Sequence, residues 1–345
     1  PKNPKTQKPL LPLEELKGNG NKGKEGWNRF LFRLSQLYFF FLLLSFASVT
    51  AQNFTLVDSK IKTYPKKITA EKLAHKIAID FNSDQDKVRA IFSWLSFNIR
   101  YDLNEFYNPK QKIIRFSYKN EADKQDKISA IKNNVSTKTM LKIKGVCEGY
   151  AQAFAKICSL LKIQNQVIKG YVRNSSNDIG KIKTQTNHAW NAVKLNGKWL
   201  YIDPTWAAGF VVNGKWQRNF NDYFFNIPKE KYFLTHFPED ITWQLRVKRM
   251  PLATFFKQPI FTSSFLKKEY KLLKPTSGIV HRKTDGNISF TLKNVNSSQS
   301  IYCGFTGYKY AKKPKTSFNK NTVNINIIPP KNSKVAYLII DKEVV

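Results

Sequence analysis

The chain has 345 residues, and two kinds of residue are scarce in it: cysteines and acidic residues. Three scattered cysteines are too few for a disulfide framework, and a chain of this length can bury a sizeable core without one. Asp and Glu number 24 against 58 Lys and Arg, which gives a net charge of +34. The basic residues are spread along the chain and form no nucleic-acid-reading motif. We therefore interpret the charge as a basic surface and expect no nucleic-acid partner.

Long apolar runs are also scarce. The run at 37–46 is too short for a comfortable membrane span. A basic flank at 27–33 precedes it, and the small residues Val49 and Ala51 follow it. This order of features predicts a secretory signal peptide over residues 27–51, cleaved after Ala51. An uncleaved membrane anchor is the alternative.

Residues 1–26 are polar and rich in Lys, Gly, Asn and Pro, so we predict a disordered leader there. Residues 1–51 contain eight basic and three acidic residues, so their removal would lower the net charge from +34 to +29. We expect no stable membrane span in the remaining chain. The expected location is secreted, or periplasmic and associated with the cell envelope.

One cysteine has a distinctive context, the segment Gly-Val-Cys-Glu-Gly at 145–149. Apolar or small residues follow Cys147 at the spacing of one helix face: Ala151, Phe154, Ala155, Cys158 and Leu161. The pattern predicts a buried helix with Cys147 in its first turn. Unpaired backbone N–H groups and the helix dipole favour a thiolate there. The alternative is that Cys147 is simply a small buried hydrophobic residue.

A hairpin downstream would supply a base and an acid. Asn196-Gly197 lies between two β-prone runs and predicts a two-residue turn in which paired residue numbers sum to 393. Extended along both strands, this register pairs Trp190 with Asp203 and His188 with Thr205. His188 and Asp203 then share a face as diagonal neighbours, roughly 7–8 Å apart at the backbone. A slip of one residue would put them on opposite faces.

The segments around these residues have simpler patterns. Thr69 and a capping box at 83–86 predict two successive helices. Residues 103–136 predict a surface excursion beside the site, with a lid as one interpretation, before a short helix that starts at Ser136 or Thr137. A strand is predicted at 166–173.

The aromatic-rich segment at 219–238 is interpreted as core packing. His236 within it is a weaker second candidate base, because it lacks a paired acid on a hairpin. His281 and Cys303 have no companions, and we find no metal-ligand spacing. We therefore expect neither a metal nor a cofactor.

The C-terminal part alternates between apolar and polar residues from 275 to 345, which predicts a small all-β domain. Residues 259–274 are interpreted as a linker. The predicted organisation is a catalytic domain at 52–262 and a C-terminal β domain at 263–345. Its last apolar run nearly reaches the end of the sequence, so a truncated domain is one expectation.

Four segments together resemble one enzyme family: 94–102, 145–161, 187–191 and 201–209. The order Cys, His, Asp, with His-Ala-Trp-Asn and Asp-Pro-Thr-Trp around the last two, resembles the transglutaminase-like superfamily of papain-type cysteine enzymes. Residues 232–245 add a likeness to the kyphoscoliosis-peptidase branch. The resemblance implies an α+β fold, with a papain/transglutaminase-like core of helices packed on an antiparallel sheet and a small C-terminal all-β domain.

The resemblance also implies roles for three residues. Cys147 would be the nucleophile, His188 the general base and acid, and Asp203 the carboxylate that orients His188. The Cys147 backbone N–H is the safest oxyanion donor, and no side-chain donor is evident. An amide substrate would give a thioester, which water or an amine would then resolve.

Three functions are compatible with these observations. The first is an exported cysteine hydrolase, peptidase or amidase that acts on a protein or peptide. The basic charge suggests an acidic or envelope-associated substrate. The second is a protein-crosslinking transglutaminase. The third is a catalytically silent surface or scaffolding module.

Overall fold

Helices open the described part of the chain, which comprises residues 53–109 and 115–345 of a computed structural model. They are α1 (Thr55–Lys62), α2 (Ala70–Asp80) and α3 (Asp84–Asn98). The predicted leader and signal peptide lie outside the described residues. Within the two described ranges, no helix combines the length and the apolar character that a membrane span requires.

The predicted caps of α2 and α3 are present. The Thr69 side chain accepts a hydrogen bond from the Lys72 N–H, and the Ser83 side chain accepts one from the Asp86 N–H. The capping box is only half formed, because the Asp86 carboxylate accepts from the Ser83 hydroxyl at 2.7 Å. Both helices bury the predicted apolar faces, including Leu73 and Ile77 on α2 and Val88, Ile91, Phe92 and Leu95 on α3.

A long helix replaces much of the predicted surface excursion. After β1 (Arg100–Tyr101) and α4 (Leu103–Tyr107), the helix α5 runs over Glu121–Lys142, and Asn120 caps it. The expectation of a short helix that starts at Ser136 or Thr137 is therefore wrong. The helix α5 buries only Ser136, Thr139 and Met140, so its sequence carries little apolar periodicity.

The predicted cysteine helix is confirmed as α6 (Cys147–Leu160), which follows the short strand β2 (Lys144–Gly145). Strand β2 pairs in parallel with β1, with Tyr101 opposite Gly145. Tyr150, Phe154, Ile157 and Cys158 of α6 are buried in the core. These residues follow the helical spacing of the sequence, so the buried face is the predicted one.

Strand β3 (Asn165–Val172) begins one residue before the predicted strand. It is followed by β4 (His188–Leu195) and β5 (Lys198–Ile202). Leu195 pairs with Lys198 and Asn191 with Ile202, so the predicted hairpin register is confirmed as far as Ile202.

The hairpin ends earlier than predicted. The Asp203 N–H donates to the Phe224 carbonyl, and Pro204 starts the short helix α7 (Pro204–Ala208). Pro204 has no N–H to donate to a strand ladder and suits the first position of a helix. The predicted pairs of Asp203 with Trp190 and of Thr205 with His188 are therefore wrong.

An exposed hairpin and the aromatic segment follow. The hairpin is β6 (Gly209–Val212) with β7 (Lys215–Arg218), and the helix α8 (Lys229–Thr235) leads into β8 (His236–Pro238). The predicted aromatic core is confirmed, since five of the aromatic side chains are buried: Phe224, Phe225, Tyr232, Phe233 and Phe237.

The central sheet has the strand order β5-β4-β3-β8, and every pairing in it is antiparallel. The helix α6 packs on this sheet, and one hydrophobic cluster extends from Val57 to Phe256 across the helices and the sheet. This arrangement is the predicted α+β core of helices on an antiparallel sheet.

Short helices precede the C-terminal strands: α9 (Leu252–Lys257) and α10 (Ser263–Lys267). The strands that follow are β9 (Lys271–Lys274), β10 (Ile288–Lys293), β11 (Ile301–Phe305), β12 (Lys315–Asn319), β13 (Thr322–Ile327), β14 (Ala336–Ile340) and β15 (Glu343–Val344). They form two sheets, ordered β12-β13-β10-β9 and β11-β14-β15.

The predicted linker at 259–274 is largely structured. Phe265 and Leu266 of α10 are buried in a second hydrophobic cluster with the C-terminal strands, and β9 is an edge strand of the larger sheet. Residues 54–345 form one compact unit, and Tyr223 packs against both hydrophobic clusters. The domain boundary at 262/263 remains a prediction.

Candidate active site

Cys147 is the first residue of α6 and is partly exposed. The first N–H groups of a helix have no partners within the helix, and the residue before it, Val146, offers no side-chain acceptor to them. These N–H groups and the helix dipole favour negative charge at the sulfur or on an oxygen held beside it.

Two glycines allow α5 to approach the start of this helix. A Cβ at Gly149 would overlap the Thr139 hydroxyl, and one at Gly145 would lie 3.0 Å from it. The glycines on either side of Cys147 therefore allow close packing against α5. They fix the position of the sulfur relative to the rest of the core.

His188 begins β4 and is nearly fully buried. Its Nε2 lies 2.7 Å from Oδ2 of Asp203, and Cys147 is close enough to the ring to help raise its pKa. Because Nε2 faces the carboxylate, Nδ1 is the ring nitrogen that remains for the sulfur. The ring stacks on Trp190, with 5.9 Å between centroids, and contacts Trp206 at 5.7 Å. The structure thus brings together the three residues predicted from the sequence.

Asp203 is completely buried, and four donors surround its carboxylate. Oδ1 accepts from the backbone N–H groups of Thr205 at 2.8 Å and Trp206 at 3.0 Å, at the start of α7. Oδ2 faces Nε2 of His188 and Nε2 of His236. The turn into α7 that ends the predicted hairpin therefore supplies half of the donors to Asp203.

His236 makes a contact with Asp203 that the sequence did not predict. Its Nε2 lies 3.1 Å from Oδ2 of Asp203, and its Nδ1 lies 2.8 Å from the Thr235 hydroxyl. His236 has no paired acid on a hairpin, as expected, but pairing of β8 with β3 places it against the same carboxylate. Asp203 is 33 residues away, so no local pattern indicated the contact. The 232–245 likeness was the one available signal.

The titration of the three residues is coupled. Burial would lower the pKa of His188, but Asp203 and Cys147 outweigh it and raise that pKa to about 10. Burial would raise the pKa of Asp203, but His188 and His236 hold it well below its usual value. Burial lowers the pKa of His236. The site therefore favours a charged His188, an ionised Asp203 and a neutral His236.

His188, Asp203 and His236 are also the residues that could hold a metal ion, since their facing atoms lie within 4.8 Å of one another. The 2.7 Å between Nε2 of His188 and Oδ2 of Asp203 is a hydrogen-bond length. Ligands of a tetrahedral zinc, at about 2.0 Å from the metal, lie about 3.3 Å apart. The cluster therefore fits a hydrogen-bonded network better than a metal centre.

Tyr101 is a polar side chain of this region that was not singled out from the sequence. It lies on β1 opposite Gly145, two residues before Cys147. Burial, followed by the charge of Cys147, raises its pKa well above the usual value. Tyr101 therefore stays protonated and keeps a hydroxyl that can donate a hydrogen bond. Its signal in the sequence was its place in the segment 94–102, which shares the family resemblance.

Comparison with known proteins places part of the chain in a family. Residues 71–204 match the family model of the transglutaminase-like superfamily, a range that contains all three predicted site residues. Human kyphoscoliosis peptidase is 25% identical over 283 residues, which cover 79% of this chain and 38% of the human protein. Its mouse counterpart is 24% identical over 280 residues, covering 80% and 39%. The chain thus spans about two fifths of the length of these relatives.

More distant similarities exist as well. The LIM and transglutaminase domain protein ltd-1 of Caenorhabditis elegans is 25% identical over 198 residues, or 54% of this chain and 24% of that protein. Among solved structures, a transglutaminase aligns with a TM-score of 0.28 at 19% identity, covering 56% of this chain and 43% of its own. A putative cysteine protease from Cytophaga hutchinsonii aligns with a TM-score of 0.23 at 20% identity, covering 46% and 45%.

The family match spans Cys147, His188 and Asp203, and the fold has helices packed on an antiparallel sheet. Residues 71–204 therefore match the transglutaminase-like superfamily, and the chain as a whole is similar to the kyphoscoliosis peptidases.

Proposed function

We propose that the protein is an exported cysteine hydrolase, a peptidase or amidase, that works through Cys147, His188 and Asp203. One observation carries the proposal: the buried His188 ring, which hydrogen-bonds Asp203 at 2.7 Å, has its pKa raised by both Asp203 and Cys147, the first residue of a helix. These three residues have the parts of an activated nucleophile, namely a thiol, a base and a group that orients the base. Export rests on the signal-peptide pattern at 27–51.

The first half of the reaction makes a thioester. The Cys147 thiolate attacks the carbonyl carbon of an amide, and the carbonyl electron pair moves to the oxygen. The Cys147 backbone N–H would stabilise that oxyanion, a contact typically worth about 3 kcal/mol. His188 then gives its proton to the leaving nitrogen as the C–N bond breaks. A free amine and an acyl-thioester result.

The second half releases the acyl group. His188, now neutral, takes a proton from water as the water oxygen attacks the thioester carbon. The C–S bond breaks and the thiolate is restored. A lysine amine in place of water would give an isopeptide bond, which is the crosslinking alternative. Throughout, Asp203 holds His188 with Nε2 protonated and Nδ1 towards the sulfur.

The three cysteines allow a direct test. Cys158 and Cys303 are buried, and burial raises the pKa of both thiols, so they serve as internal controls. We expect iodoacetamide to alkylate Cys147 at least 100-fold faster than either, because only the thiolate reacts. His188→Ala should slow alkylation of Cys147 at pH 6.5 by about tenfold or more. Mass spectrometry of peptides that contain each cysteine gives the three rates.

Equally slow alkylation of all three cysteines would contradict the proposal and favour the silent scaffolding module. A second measurement addresses the acceptor. Peptides cleaved by the wild type and not by Cys147→Ala would support the hydrolase. Incorporation of a primary amine into a glutamine-containing protein, without cleavage, would instead support the crosslinking transglutaminase.

A further inference from the structure

We propose that His236 is a positioning residue of this site, which acts through Asp203 as a second hydrogen-bond donor to the carboxylate oxygen that holds His188. The inference rests on the proposed function, since it assigns a role in the same reaction. It adds a residue from β8, which lies beyond the family match at 71–204.

The geometry of Asp203 carries the first step. Each carboxylate oxygen has two lone pairs, and each oxygen of Asp203 has two donors. On Oδ2 the donors are Nε2 of His188 at 2.7 Å and Nε2 of His236 at 3.1 Å. The backbone donors on Oδ1 fix one end of the carboxylate, so His236 is the group that fixes the other end against His188.

An ionised carboxylate only accepts hydrogen bonds, so Asp203 requires a neutral His236 to carry its proton on Nε2, and the Thr235 hydroxyl can supply the matching donor to Nδ1. The hydroxyl lies 2.8 Å from Nδ1 of His236. When it donates to Nδ1, the ring of a neutral His236 carries its hydrogen on Nε2, which faces Asp203. All polar atoms of the ring are then satisfied, and the imidazole is held in the one tautomer that can donate to the carboxylate.

The surroundings of His236 exclude it from direct chemistry. The ring is fully buried, and Trp190 and Trp206 each lie 4.9 Å from it between ring centroids. The titratable groups that face it are Asp203, His188 on β4 and Tyr232, which stacks on it from α8. The substrate cannot reach it, so His236 acts on the reaction only through Asp203.

The consequence for the nucleophile follows from the charge of Asp203. A buried carboxylate remains ionised only while donors compensate for lost water. Without His236, Oδ2 keeps one donor, the pKa of Asp203 rises and the carboxylate can rotate about its bond. His188 then holds its proton less firmly, so a smaller fraction of the Cys147–His188 pair exists as thiolate and imidazolium.

The test compares two substitutions at one position. His236→Phe keeps an aromatic ring of similar size but removes the donor. His236→Gln keeps an N–H at the distance of Nε2. The measurement is the rate of Cys147 alkylation by iodoacetamide from pH 4 to 9. The control is His75→Phe, because His75 is an exposed histidine on α2.

We expect His236→Phe to slow Cys147 alkylation about tenfold between pH 6 and 8, because less of the Cys147–His188 pair exists there as thiolate and imidazolium. His236→Gln should restore the rate to within about threefold of the wild type. His75→Phe should coincide with the wild type. On a cleaved peptide, His236→Phe should lower kcat with little change in KM.

Two results would overturn the inference. One is a folded His236→Phe protein whose profile matches the wild type. The other is a folded His236→Gln protein that is as impaired as His236→Phe, because His236 would then only fill space. If His236→Phe does not fold, the comparison moves to His236→Gln against His236→Asn, whose shorter amide cannot reach Asp203. In that pair only His236→Gln should keep the wild-type profile, and equal profiles would refute the role.

The experiments distinguish failure of the His236 role from failure of the proposed function. If His188→Ala leaves Cys147 alkylation unchanged, the triad itself fails. If His188→Ala slows alkylation but His236→Phe leaves the profile unchanged, only the role of His236 fails.

Discussion

At the scale of single residues, Asp203 is the centre of the site. It is fully buried, and an ionised carboxylate in such a place is costly unless it is paired and hydrogen-bonded. Two N–H groups and two imidazoles supply that compensation. The two histidines respond in opposite ways, since the pKa of His188 is raised and that of His236 is lowered. One charged and one neutral imidazole therefore share one oxygen.

The raised pKa of His188 predicts a loss of stability at high pH. A group whose folded pKa is raised stabilises the fold below its unfolded pKa, near 6.5, and this contribution disappears as the pH rises towards 10. Because the pKa of His236 is lowered, its titration changes the stability only below this pH range. Between pH 7 and 10, we expect Cys147→Ala to lose about 1–2 kcal/mol more unfolding free energy than Cys147→Ala/Asp203→Asn. Urea unfolding at the two pH values measures this difference.

The Cys147→Ala background matters because a thiol titrates within the same pH window. Lysines and tyrosines titrate in both proteins and cancel in the comparison. Parallel losses of stability in the two proteins would contradict the ion pair of His188 with Asp203.

At the scale of secondary structure, the elements differ in how far local sequence determined them. Asn196-Gly197 fixed the register of β4 with β5, because a two-residue turn leaves one way to pair the flanking strands. The helix α5 was missed, because an exposed helix has little apolar periodicity. Its signals were the Asn120 cap and the acidic first turn, Glu121 and Asp123.

Local sequence patterns also did not predict strand β8, which carries His236. It pairs with β3 at three positions, one of which places Gly170 opposite Pro238. Gly170 is also opposite His188 on the other neighbouring strand. A side chain here would overlap the Phe237 carbonyl oxygen and the Trp190 ring. The missing Cβ is therefore what lets β8 close against β3.

We expect Gly170→Ala to destabilise the protein by about 2–3 kcal/mol, because the blocking atoms include backbone that cannot rotate away. It should also slow Cys147 alkylation, since His236 moves with β8. The control is Gly214→Ala in the β6–β7 turn, where a Cβ meets nothing within 4 Å and only the positive φ of 70° costs about 1 kcal/mol. Denaturant unfolding of both variants tests this. Equal destabilisation, with unchanged alkylation, would contradict it.

At the scale of the whole molecule, two features stand out: the two hydrophobic clusters and the charge. Arg173, after β3, donates to the carbonyl oxygens of Leu234, Gln258 and Pro259, and so ties the central sheet to the chain that leads into the second cluster. The net charge of +34 is distributed along the sequence. Such a charge attracts acidic partners over a distance set by the ionic strength.

The charge predicts which substrates react fastest. For two peptides that differ only in flanking residues, we expect kcat/KM of the acidic one to fall about fivefold between 50 and 500 mM salt. The uncharged one should change less than twofold, because salt screens long-range attraction. Peptide cleavage followed at several salt concentrations gives both values. An equal salt response of the two peptides would argue against an acidic substrate.

The sequence by itself determined the cysteine helix, the register of the hairpin and the aromatic core, because helical periodicity and a two-residue turn are local properties. The sequence also predicted contact between His188 and Asp203, but through a strand pairing that does not form, because Pro204 ends the strand and starts α7. Tertiary structure alone decided that His236 shares Asp203 and that Thr139 requires glycines beside Cys147. The physical reason is the same in both cases. Packing joins residues that are distant in the chain, and such contacts leave no period or spacing in the sequence.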